Sequence, residues 1–205
     1  MHWLNFKRYK SDVAKQAVPP HLNAAEFARH YADKPQENTE EYLSLSGEMC
    51  WDAVVLCAHR SGALSKAKYK QLWLTVFDKQ YKHFVSPDDT EIRTMADMLR
   101  APQGCFIGIF SMRDAASPRL LHAMIGTGAG FAAGNKNLCI GVGGAVGWEN
   151  LNLARDLRWQ PEGGFLRQGD SEVLRIFIGL SPPETVRTLF RVKKKPPLGG
   201  FLRLI

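Results

Sequence analysis

"GCFIGIFSMRDAASPRLLHAMIGTGAGFAAGNKN", residues 104–137, holds two short apolar runs on either side of a polar turn, then a third after a glycine-rich one. Runs of this length bounded by glycine and polar clusters are read as buried strands. The "GTGAG" stretch marks a hairpin that returns through "GFAAGNKN". A further strand is expected in "EVLRIFIGL" at 172–180. Upstream the texture is helical. Asn23 is placed to cap a helix over "AAEFARHYADK", with Glu26 in the capping-box position. "PQENTEEYLSLSGEM" reads as polar and turn-like. A helix then opens at Cys50 and closes at "RSG". Ser65 begins a longer one through residue 84, with Tyr69, Leu72, Trp73, Val76, Phe77 and Tyr81 on a wide apolar face. Residues 86–89 cap a third, "TEIRTMADMLR". Helices first and a mostly antiparallel sheet after them make the expected class α+β.

The 205 residues suit one well-cored domain, read as an N-terminal arm over 1–22 and a single domain over 23–205. Hydrophobic content of 45% and charged content of 23% are those of an ordinary globular chain. No apolar run approaches the roughly 20 residues a membrane span needs. "MHWLNFKRYK" lacks the apolar core of a signal peptide, so Sec export is disfavoured and a cytoplasmic start is expected, while a specialised secretion system would need no such segment. Cys50, Cys57, Cys105 and Cys139 form no disulfide framework. The net charge of +7 invites an anionic partner, yet the basic residues are scattered and do not interleave with aromatics. Nucleic acid is therefore disfavoured. "GVGGAVG" lacks the Gly-Lys-Ser/Thr ending of a phosphate loop, and no cysteine or histidine pair has metal-ligand spacing. No cofactor and no metal are expected.

Within "SGEMCWDAVVLCAHRSG", residues 46–62, Cys50 stands where a helix begins. A thiol there meets unpaired N–H groups and the positive end of the helix dipole, which favour thiolate and later hold an oxyanion. Such a nucleophile needs a base, normally histidine, aimed by a third polar side chain. Of six histidines, His122 is the one set mid-strand in an apolar run. Asn135 and Asn137 follow on the returning strand and share one of its faces, because they differ by two.

A helix opening on "CWDA", a strand "GCFIGIF" and then "HAMIGTGAGFAAGNKN" resemble the papain-like cysteine hydrolases over about residues 47–140. In that superfamily Cys-Trp opens the central helix, histidine lies on the first strand of the sheet, and asparagine or aspartate follows on the next. The order also resembles NlpC-type cell-wall amidases and papain-fold bacterial toxins and effectors. The resemblance implies a papain-like α+β fold with Cys50 as nucleophile, His122 as general base and acid, and Asn137 as orienter, Asn135 being its substitute. Trp51 and Trp148 are candidates to line the cleft, with a core or interface place for Trp148 fitting its sequence at least as well. One departure concerns the glutamine that papain-like proteases carry before the nucleophile, since Ser44 and Ser46 stand there instead.

The implied activity is attack on an amide or thioester through an acyl-enzyme, as amidase, protease or glutamine deamidase. The substrate would be peptidoglycan or a target-cell protein, and an immunity protein or chaperone would be the partner. The alternative is a non-catalytic basic module that docks an anionic partner.

Overall fold

The computed structural model describes residues 20–33, 40–136, 147–167, 169 and 171–179. The chain runs α1 (Pro20–Asp33), α2 (Glu40–Gly47), α3 (Cys50–Arg60), α4 (Lys66–Leu72), a 3-10 turn (Gln80–His83), β1 (Thr90–Ile92) and α5 (Met95–Arg100). It continues through β2 (Phe106–Ser111), β3 (Arg119–Gly128), β4 (Phe131–Asn135), β5 (Trp148–Asn152), α6 (Leu153–Asp156), β6 (Arg158–Trp159), β7 (Phe165–Leu166) and β8 (Val173–Gly179). The strands form one sheet in the order β5-β4-β3-β2-β8-β7-β6, and every pairing among the described residues is antiparallel. β8 pairs with β2 along one edge, while β7 and β1 share its other edge. The class is α+β.

Two apolar cores flank the sheet, as strand alternation requires. One lies under α1, α3 and α4 and takes Phe106, Phe110, Ala123, Ile125, Ala133, Trp148 and Phe177 from the strands. The other lies under α5 and α6 and takes Ile107, Ile109, Met124, Ala132, Leu174, Ile176 and Ile178. The α3 segment Trp51–Ala58 is buried throughout, which explains why its sequence carries almost no polar residue.

Several helix boundaries differ from the sequence expectation. α1 starts at Pro20, so Asn23 lies inside the helix instead of capping it. Proline suits a first helical turn, where its missing N–H has no intrahelical partner to lose. The "turn-like" segment before Cys50 contains α2, with Leu45 fully buried. α4 ends after about two turns, and Phe77, expected on the apolar face, is 84% exposed. The stop is tertiary. Trp51 Nε1 donates to the Leu72 carbonyl at 3.1 Å, Asp52 Oδ1 accepts from the Leu74 N–H at 2.8 Å, and Thr75 Oγ1 donates to the Leu72 carbonyl. Leu74 is held at a φ of 59°, outside helical space. Likewise "TEI" is strand β1 on β8, and the helix shrinks to α5, capped by Thr94 and Asp97 in a reciprocal box.

Candidate functional site

α2 and α3 are separated by Glu48 and Met49, and Cys50 is the first residue of α3. Met49 has extended backbone and offers no side-chain cap, so the first-turn N–H groups of α3 are not shielded by a capping side chain. Cys50 is half-buried, and its Sγ lies 3.9 Å from the Leu121 carbonyl of β3. The expected nucleophile therefore sits against the expected histidine strand, one residue from His122.

The imidazole itself turns the other way. Ile109 pairs with His122 while Phe110 pairs with Leu120, so Leu121 is an extra residue in β3 and forms a β-bulge. Directly opposed residues of an antiparallel pair share a face. His122 thus stands with Ile109 and Met124 on the face of the second core, whereas Cys50 packs against the first. His122 is 0% exposed, and burial holds its pKa down to about 4. Charging the ring there costs its hydration, so it is neutral at pH 7.

Asn135 does face α3. It pairs with Trp148, is 7% exposed, and its Nδ2 donates to the Glu48 carbonyl at 2.6 Å. Its buried Oδ1 has no hydrogen-bond partner among the described residues. The amide therefore ties β4 to the residue pair that opens α3. Asn137 lies outside the described residues, as does Cys139. Ser46 is buried, and its Oγ also lacks a hydrogen-bond partner among the described residues.

Trp51 and Trp148 are core residues, which corrects their expected place on a cleft. Trp51 is fully buried against Tyr81 and Phe84, and the indole of Trp148 donates to the Ala28 carbonyl at 2.8 Å. Large aromatic surface is worth more inside, provided its N–H finds an acceptor, and both rings find one. Cys57 and Cys105 are buried, with Cys57 near the Ala24 carbonyl; burial pushes the Cys57 thiol far up and that of Cys105 to about 12. Neither is a thiolate at neutral pH.

Two carboxylates beside Cys50 escaped the sequence reading. Asp52 is fully buried on the first turn of α3, and burial raises its pKa against the lowering effect of the Leu74 N–H. Desolvation and the neighbouring Asp52 raise Glu48 as well. Their spacing of four residues was visible, but the burial of Asp52 depends on the turn after α4, whose Leu74 N–H it accepts. Among the described residues no group of three or more His, Cys, Asp and Glu side chains is placed to hold a metal ion. No helix among them is long and apolar enough to cross a membrane. Comparison with protein-family models, with curated proteins and with solved structures finds no match to this chain.

Proposed function

We propose that this protein is a cysteine-dependent hydrolase of amide or thioester bonds, with Cys50 as its nucleophile. The observation that carries the reading is the seat of Cys50, half-buried at the uncapped start of α3 with its sulfur against β3 beside His122. In the reaction the thiol proton passes to the imidazole, and sulfur attacks the carbonyl carbon. The oxyanion is held by N–H groups of the first turn of α3. The leaving amine takes the proton back from the imidazolium, and water then cleaves the acyl-enzyme with the ring again as base.

This chemistry requires His122 on the α3 face. The β3 bulge supplies a route, because moving its extra residue one place, from Leu121 to His122, pairs Leu121 with Ile109 and swings the imidazole across the sheet. Asn135, whose Oδ1 is already buried on that face, then orients the ring, with Asn137 the other candidate from the papain-like resemblance. The reading extends to a papain-like fold and to a bacterial toxin or effector that leaves the cytoplasm by a specialised route. It would act on peptidoglycan or a target-cell protein and be restrained by an immunity protein or chaperone.

Acylation by p-nitrophenyl acetate tests the proposal. The expected result is a stoichiometric nitrophenolate burst that acylates Cys50 and spares Cys57 and Cys105. The burst vanishes in Cys50→Ala and slows by roughly a hundredfold in His122→Ala. No burst in the unaltered protein overturns the reading in favour of a non-catalytic basic module, and a burst that survives Cys50→Ala assigns the acylation to another group and overturns Cys50 as the nucleophile.

A further inference from the structure

At the other end of β3, six residues and about 20 Å from the Leu121 carbonyl, the surface carries an open concavity. It has a volume of about 440 Å³ and is lined by Arg29, Gln103, Thr127, Gly128, Ala129, Phe131 and Asn150. Small-molecule sites commonly span about 300–1,000 Å³ and combine an apolar wall with a few convergent polar groups.

The lining carries one charge, the guanidinium of Arg29, placed from α1 by its bond from Nη2 to the Thr127 carbonyl. Thr127 Oγ1 in turn donates to Asn150 Oδ1 at 2.7 Å. With that oxygen engaged, the Asn150 side chain presents its NH₂ as a donor. Gln103 adds a second amide, and the ring of Phe131 gives an apolar wall.

The remaining wall is the β3–β4 turn, where Gly128, Ala129 and Gly130 all have positive φ, of 93°, 52° and 83°, and Gly128 pairs with Phe131 across a two-residue loop. Ala129 adopts this conformation at a cost that glycine or asparagine would avoid. A Cβ on Gly130 would lie 2.6 Å from that of Ala154, so the turn packs closely on α6 and leaves no room there for a side chain.

We propose that this pocket binds a small carboxylate whose body is aromatic or short alkyl. The carboxylate meets Arg29 and the Asn150 amide, and the body lies against Phe131. Guanidinium and carboxylate match in shape as well as charge, and the part-buried setting strengthens their hydrogen bonds. The site is separate from the Cys50 site and does not depend on that cysteine's chemistry.

Calorimetric titration with phenylacetate and with its neutral analogue phenylacetamide tests the assignment. Phenylacetate is expected to bind with a dissociation constant in the millimolar range or tighter, and phenylacetamide about tenfold more weakly. Asn150→Asp keeps the oxygen that Thr127 uses and replaces the donor with negative charge, so it should weaken phenylacetate about tenfold. Gln103→Glu should act in the same direction at the rim and carries the comparison if Asn150→Asp melts early. A pentapeptide ending in phenylalanine, run beside phenylacetate, tells a chain terminus from a free acid, since the source of the carboxylate is the one that binds tighter. Equal binding of acid and amide, no binding of either, or phenylacetate binding unchanged in both variants overturns the proposal.

Discussion

Burial shifts the titrations of both His122 and Glu149, and the two act on stability in opposite senses. His122 drops from an ordinary 6.5 to about 4, so between those values the unfolded chain binds the extra proton. Its contribution is complete above pH 6.5 and is lost as pH falls toward 4, at no more than about 1.4 kcal/mol per pH unit. Burial raises Glu149 from 4.5 to about 7 against the opposing charge of Lys136, so there the folded chain binds the extra proton. Its contribution is present below pH 4.5 and is lost as pH rises through 7. The windows overlap between pH 4.5 and 6.5, where the two slopes oppose each other and flatten the profile. Urea melts across that range should show a steeper loss toward acid in Glu149→Gln. His122→Gln should show stability falling toward pH 7 instead. Identical profiles for both variants and the unaltered protein would refute the assignments.

At the scale of elements, α4 is stopped by contacts that come from α3. Asp52 receives the Leu74 N–H, and Leu74 keeps its left-handed backbone with its side chain largely in solvent. Leu74→Gly removes the Cβ that makes this conformation unfavourable and gives up little packing, so it should stabilise by about 1 kcal/mol. Asp52→Ala strands the Leu74 N–H and should cost about 1–3 kcal/mol. Asp52→Asn keeps the accepting oxygen and removes a carboxylate whose charge burial already disfavours, so it should cost less than the alanine change. Denaturant melts of the three variants read the order directly. A destabilised Leu74→Gly would mean that its side chain, not its backbone, matters. The bulge in β3 acts at the same scale, since one extra residue decides which core His122 joins.

At the scale of the whole molecule, the closest approach at any described glycine is between the end of β8 and the segment after the 3-10 turn. A Cβ on Gly179 would lie 1.4 Å from the Phe84 carbonyl oxygen, and no side-chain movement removes a clash with backbone. Gly179→Ala must therefore separate β8 from this segment, which also sends Phe84 and Val85 into the first core. A loss above about 3 kcal/mol, or failure to fold, is expected in thermal melts. Gly47 meets nothing within 4 Å, and at the end of α2 its change to alanine should alter stability by less than about 1 kcal/mol. Equal melting of the two variants would contradict the close approach.

The α+β class, the start of α3 at Cys50 and strands β2, β3, β4 and β8 were legible in the sequence, because each is encoded by local periodicity and by the glycines and polar residues that bound it. The hairpin also placed Asn135 on the strand that returns beside His122. Helix α2, the early end of α4, strand β1 and the inward burial of Trp51 and Trp148 depended on partners far away in the chain, and no local pattern carries those. The face taken by His122 is of the same kind. Side chains alternate with a period of two, so a single unpaired residue at Leu121 reverses every assignment beyond it, and strand pairing alone decides where that residue falls.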